Sequence, residues 1–294
     1  MFAEDIVRLI RGAPSPDRVV VGDVTGLKSR IMLHTTWGQG RVLTIERNER
    51  VCGLLELVLE PFEPRSLLRC ERLPLLERIA REEGLKAAGA VLIDIGSLIE
   101  VIEGTEKGAI VSGQSFLDRQ SDPGLPLTLH ELVYGRSESE LVGLLLKMDD
   151  LLFAMEIGRA IARQSLQHAI GTIGQLVALI NFALRAHPPA IQSGLVAQAL
   201  VVLASEVAEV EQYLLAVLTD CARVLIAGGV LLVIGYSNHQ ERLVRDAASL
   251  SGGWMEITDS PIRPDPSAID EGTWDHLARL IAFRWQPACG GRER

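Results

Sequence analysis

Three short apolar runs, each closing on an acid beside a turn, fix most of what this chain can be. They read VVVGD at 19–23, RVLTIE at 41–46 and AVLIDIG at 90–96. Each run is apolar throughout rather than alternating, which marks a strand buried on both faces of a parallel sheet. Helical spacing fills the gaps over roughly 28–36, 49–59 and 74–84, the last closed by Gly84 as a C-cap. Strand, helix, strand, helix, strand predicts an open α/β sheet covered on both sides. Ligands of such sheets bind at the carboxyl ends of the strands, where Asp23, Glu46 and Asp94 stand. Glu46 falls about twenty residues past the first turn, where an acid can accept hydrogen bonds from both hydroxyls of a ribose. Gly26 is the single glycine between Asp23 and Lys28, so a glycine-rich cradle is nearly missing. The G-x-G-x-x-G pattern is absent, and no Tyr/Lys or Cys/His pair suggests hydride chemistry, which leaves a nicotinamide dehydrogenase as a weak reading.

With 294 residues, 48% of them apolar, the chain can bury a full-sized core as one large domain or a core with an insertion. A net charge of −9 argues against gripping DNA or RNA by bulk electrostatics. The imbalance is uneven: residues 1–90 hold 14 Lys and Arg against 13 Asp and Glu, so the N-terminal third is the less hostile surface for RNA. Cys52, Cys70, Cys221 and Cys289 show no C-x-x-C spacing, and buried free thiols are expected rather than a disulfide framework or a zinc site. The N-terminus MFAEDIVRLI is acidic early and has no charged n-region before a long apolar stretch, so it does not read as a signal peptide. The apolar segment 166–184 is interrupted by His168, Gln175 and Asn181 and is too polar for a membrane span. A soluble, cytoplasmic protein without a membrane partner is expected.

Residues 4–11 read as a short amphipathic helix. The glycine- and proline-bearing segment 97–126 reads as a long loop over the carboxyl edge of the sheet, and helical patterns run through 127–185, with the S-E-S-E-L stretch capping one of them. Val196, Leu200, Leu203, Val207, Val210, Leu214, Val217, Cys221 and Val224 fall at alternating spacings of four and three, which predicts one amphipathic helix of many turns, packed on the sheet rather than coiled with a partner. The turn Ala227-Gly228-Gly229 should lead into a strand at 230–236, a Pro-rich connection follows near 260–271, and a final strand begins near 280. The expected division is an α/β core over 1–102 and 188–294, with a loop and helical insertion over 103–187.

The order of these pieces resembles the bacterial methyltransferase H family (MraW type), whose members methylate the exocyclic N4 of a cytosine in small-subunit ribosomal RNA. In that family a D-A-T-x-G-G-G-H turn precedes strand ends reading I-D-R-D-P and L-D-L-G. The matching pieces here are Asp23-Val24-Thr25-Gly26, Ile45-Glu46-Arg47-Asn48-Glu49 and Ile93-Asp94-Ile95-Gly96. His187-Pro188-Pro189-Ala190 matches H-P-A-T, Ala227-Gly228-Gly229 matches P-G-G, and Val233-Ile234-Gly235-Tyr236 leads to Glu241-Arg242-Leu243-Val244-Arg245. Ser260-Pro261-Ile262-Arg263-Pro264 closes the likeness, which covers nearly the whole chain. It implies a Rossmann-like S-adenosylmethionine-dependent methyltransferase sheet with an inserted helical subdomain, with small-subunit ribosomal RNA as partner and oligomeric state open, a dimer included. It implies cofactor contacts at Asp23, Gly26, Lys28, Ser29, Glu46, Leu73 and Asp94, and catalytic roles for Asp94 and Tyr236. The chain departs from the pattern at the site itself. The glycine run is about three residues shorter, its His is Lys28, a Gln that helps hold cofactor is Val101, and S-F-H-S has become Gly235-Tyr236-Ser237-Asn238.

Each candidate has a plainer reading. Asp94 could cap the turn after its strand. Glu46 could be a surface acid paired with Arg47 or Arg50. Lys28 opposes the dipole of its helix unless it meets an anion, such as a cofactor carboxylate. Tyr236 could stack on a flipped base or simply close a strand. Arg242 could bind a phosphate or face water. His187 and His239 have no partner at a readable spacing. A second function therefore stands beside the enzyme: a catalytically inactive relative that keeps the fold as an RNA- or protein-binding module.

Overall fold

A computed structural model describes residues 1–71, 75–85, 87–98, 116–118, 125–269 and 275–287. Seven strands form one sheet: β1 (Arg18–Val21), β2 (Val42–Glu46), β3 (Ser66–Cys70), β4 (Ala88–Asp94), β5 (Leu225–Gly235), β6 (Trp254–Glu256) and β7 (Arg279–Trp285). Their order is β3-β2-β1-β4-β5-β7-β6, parallel from β3 to β5, with β7 antiparallel to β5 and β6 antiparallel to β7. The register pairs Val21 with both Ile45 and Ile93. The carboxyl ends of β1, β2 and β4 therefore lie level. The chain runs outward from β1 to β3 and then returns to place β4 on the other side of β1. This reversal is the switch point at which open α/β sheets bind ligands.

Every residue of β1, β2 and β4 is buried, as their unbroken apolar runs require. Before β4 come α1 (Ala3–Leu9), α2 (Leu27–His34), α3 (Glu49–Leu59) and α4 (Leu76–Glu82). The short α5 (Ile95–Leu98) then opens directly from β4. In α3, Val51, Leu55 and Leu59 face the core while Leu54 and Leu57 face solvent, the one-sided pattern of a helix laid on a sheet. Between β4 and β5 lie α6 (Leu129–Gly135), α7 (Glu138–Leu145), α8 (Leu151–Gln167), α9 (Ile173–Ala183), α10 (Pro189–Val207) and α11 (Val210–Val224). Three of these open with a capping box: Thr128 with Glu131, Ser137 with Glu140, and Thr172 with Gln175. α12 (Asn238–Ser251) follows β5.

Four expectations need correction. A strand at Ser66–Cys70 was not anticipated; it forms the edge of the sheet, so AVLIDIG is the fourth strand. The single long helix is two, α10 and α11, bent by 70° where Glu209 takes a left-handed backbone with φ of 52°. Ala227, Gly228 and Gly229 lie inside β5, where the pairing shifts between Ala88 and Ala90 and Gly228 has φ of +81°, so they form a bulge rather than a turn. Cys52 and Cys70 are joined as a disulfide that ties the first turn of α3 to the end of β3. Cys221 is free and buried, and burial pushes its thiol well up. Cys289 lies outside the described residues. Among the described residues, no single helix is long and apolar enough to cross a membrane. The bent pair α10 and α11 passes that test only in combination, and it is largely buried inside the fold.

Candidate functional site

The two turns that open onto the carboxyl edge are fastened to each other by Glu46. Its Oε1 accepts hydrogen bonds from the backbone N–H groups of Arg47 (2.8 Å) and Asn48 (3.0 Å). Its Oε2 accepts from the Asp23 N–H across the gap between strands (3.2 Å). Glu46 is 2% exposed, which excludes the plain surface-acid reading. Burial pushes its carboxyl above the usual carboxylate range, against the opposing pull of those backbone donors and of the Arg47 charge. Arg47 is itself buried, directs its guanidinium over the Tyr213 ring of α11, and donates to the Ala208 carbonyl.

Asp23 caps α2. Its Oδ2 accepts from both the backbone N–H and the hydroxyl of Ser29, each at 2.7 Å, and the Ser29 hydroxyl in turn accepts from Thr44 on β2 (2.8 Å). An anion at this helix end is favoured by the dipole and by the unpaired N–H groups. Asp23 Oδ1 is buried and has no hydrogen-bond partner among the described residues. Gly26 is the N-cap of α2 at φ of +71°, and a Cβ there would lie 2.7 Å from a Val58 methyl of α3, so both the backbone angle and the space require glycine.

On the other side of the switch point, Lys28 and Asp94 form an ion pair with Nζ 2.6 Å from Oδ2. The Lys28 side chain is 20% exposed and that of Asp94 only 3%. Asp94 Oδ1 also accepts the Gly96 N–H at 2.8 Å, so the acid does cap the following turn. The Tyr236 hydroxyl approaches the same oxygen at 3.4 Å. A Cβ on Gly96 would lie 2.6 Å from that hydroxyl, so the hydroxyl end of Tyr236 packs directly on the glycine. Tyr236 is held from behind by Gln240, whose Oε1 accepts the Tyr236 N–H (2.7 Å) and whose Nε2 donates to Ser205 on α10 (3.1 Å). Gln240 and Ser205 were not among the residues singled out in the sequence. Their spacing carries no motif, because the contact joins α12 to a helix 35 residues away.

The structure thus gathers Asp23, Gly26, Lys28, Ser29, Glu46, Asp94 and Tyr236 at one edge. Leu73 and Val101 lie outside the described residues. Arg242 makes a two-pronged contact with Asp149 at 2.6 and 2.9 Å, tying α12 to the turn before α8. His187 pairs with Glu156 (2.9 Å) and His239 with Glu211 (2.8 Å). No group of three or more potential metal ligands occurs among the described residues.

Residues 17–252 match the sequence profile of the MraW methylase family. Three curated relatives are each called ribosomal RNA small subunit methyltransferase H. The one from Azoarcus sp. is 28% identical over 75% of this chain and 69% of its own length. That from Symbiobacterium thermophilum is 29% identical over 70% and 65%. That from Caldicellulosiruptor saccharolyticus is 24% identical over 90% and 92%.

Proposed function

The chain belongs to the MraW methylase family, and from that premise we propose that it transfers the methyl group of S-adenosylmethionine to the exocyclic N4 of a cytosine in small-subunit ribosomal RNA. The observation that carries this reading is the level placement of Glu46, Asp23 and Asp94 at the ends of the adjacent strands β2, β1 and β4. The residues present fit the cofactor. The buried, unpartnered Oδ1 of Asp23 is an acceptor waiting for a donor. Glu46 offers about four lone-pair positions, of which backbone N–H groups use three. The family glycine run is reduced, but Gly26 keeps the backbone in its left-handed form.

When bound, the cofactor supplies an electrophilic methyl group on a sulfonium. Glu46 would take a ribose hydroxyl on its remaining acceptor position. Asp23 Oδ1 would accept an N–H from the methionine end, with Gly26 and Ser29 shaping the turn around it. Asp94 would hold the target amine on a carboxylate oxygen and take up the proton that the amine sheds. Tyr236, buried and packed on Gly96, would steady Asp94 through its hydroxyl rather than stack on a flipped base. Alignment of this kind is the main demand of methyl transfer and is worth roughly 7–11 kcal/mol in favourable cases.

Isothermal titration with S-adenosylmethionine tests the reading. Micromolar binding that Glu46→Ala and Asp94→Ala both weaken, followed by methylation of small ribosomal subunits, is the expected result. A second reading, the non-catalytic relative, draws support from the Lys28 ammonium already seated on Asp94. Absence of binding at millimolar ligand would select it.

A further inference from the structure

Lys28 is the second residue of α2, where its positive charge faces the positive end of the helix dipole. Its ammonium is nevertheless drawn inward, to 2.6 Å from the 97%-covered carboxylate of Asp94. At the β4 end the Asp94 carboxylate therefore meets a cation where an acid alone would present its full negative charge. We propose that Lys28 is an internal counter-cation that offsets the charge of Asp94 and weakens the site's preference for a positively charged ligand. The inference rests on the carboxyl edge being the S-adenosylmethionine site. Its consequence is specific to this chain. The cationic sulfonium donor and the neutral thioether product, S-adenosylhomocysteine, differ by one positive charge close to the reacting carbon. A site carrying an unneutralised acid favours the donor. An acid already paired with a cation discriminates less between the two and retains more of the product.

The pair is also positioned to be read by its partners. Tyr236 touches Asp94 through its hydroxyl and Gly96 through its ring, so the pair, the tyrosine and the turn after β4 share one small volume. Removing a unit charge from a partly buried site changes its attraction for a nearby cation by more than the equivalent of about tenfold in affinity. A change of about tenfold or more in relative affinity is the size of effect expected when one member of the pair is removed.

The test is the ratio of affinities for S-adenosylmethionine and S-adenosylhomocysteine, measured by calorimetry on the wild-type protein, Lys28→Gln and Asp94→Asn. Thermal unfolding identifies any variant that does not fold, and Lys28→Gln suffices alone if Asp94→Asn fails. Lys28→Gln should move the wild-type ratio at least tenfold toward the sulfonium, and Asp94→Asn should move it the other way. These opposite shifts are a signature that a merely structural pair would not give. Binding of both ligands with the same ratio in wild type and Lys28→Gln would overturn the inference and leave the cofactor reading standing. Failure of all three proteins to bind either ligand would overturn both.

Discussion

Glu46 keeps 2% of its surface in contact with water, and that loss of solvent, set against three backbone donors, raises its carboxyl above the ordinary value of 4.5. The sign of the stability effect follows. A raised carboxylate pKa means that the folded chain holds the proton more tightly than the unfolded one. The resulting stabilisation is complete below the ordinary carboxylate range and is lost as pH rises through the raised value. The stability of wild type relative to Glu46→Gln, measured by urea unfolding, should therefore fall as pH rises above the ordinary carboxylate value. A difference that stayed flat or grew would contradict the assigned direction. Gln240 gives a second prediction at this scale. Its amide satisfies the Tyr236 N–H and the Ser205 hydroxyl in a nearly closed interior, so Gln240→Ala should cost about 1–3 kcal/mol in the same assay. The three acids could be located from sequence because strand ends are visible as the last residues of apolar runs. What they bond to could not. Asp23 meets Ser29, Ser29 meets Thr44, and Glu46 meets the Asp23 backbone, through contacts set by how two neighbouring turns face each other.

Among the elements, the apolar strands and the capped helices were legible for a simple reason: their local signals agree with their tertiary role. α7 is the clearest case, since Ser137 and Glu140 satisfy each other's backbone N–H groups as the S-E-S-E-L pattern predicts. β3 was hidden because SLLRC is short and half-buried at the sheet edge, so it lacks the unbroken apolar run of its neighbours. The α10–α11 bend was hidden because hydrophobic spacing continues across it. The core lies on both sides of the corner, and Val207, Ala208 and Val210 are all buried. Only the backbone of Glu209, at φ of 52°, reveals the break. A non-glycine residue there bears about 1–2 kcal/mol of steric cost, part of which glycine would return as extra freedom in the unfolded chain. Glu209→Gly should therefore stabilise by up to about 1 kcal/mol, and Glu209→Val should destabilise by about as much or more. Destabilisation by glycine in thermal unfolding would show that the Glu209 side chain contributes more than its backbone costs.

Across the whole molecule, the sheet's edge beyond β2 rests on one short strand, and the disulfide from Cys70 to Cys52 fastens it to α3. Sequence reading treats cysteines 18 residues apart without a motif as free thiols, since nothing local signals that α3 folds back over β3. The register supplies the reason. Cys70 pairs with Glu46, and Cys52 sits in the first turn of the helix that leaves Glu46, so the two Cα atoms come within 6.1 Å. Closing a loop of this length removes conformational freedom from the unfolded chain and is worth about 3 kcal/mol in the entropic account. It also fixes the exit of β2 and the end of β3, the two walls flanking the proposed ribose acid. Adding a reductant should therefore lower the urea midpoint of the wild-type protein by the equivalent of about 3 kcal/mol. The Cys52→Ala, Cys70→Ala double variant should start from that lower midpoint and be indifferent to reductant. Because the bond braces the turn that holds Glu46, reduction should weaken S-adenosylmethionine binding in the wild type and leave the double variant unchanged. A wild-type midpoint that ignored reductant, or full reaction of Cys52 and Cys70 with a thiol reagent in the unreduced, unfolded chain, would remove the bond from the account. The edge strand would then be held by its ladder to β2 and by packing on α3 alone.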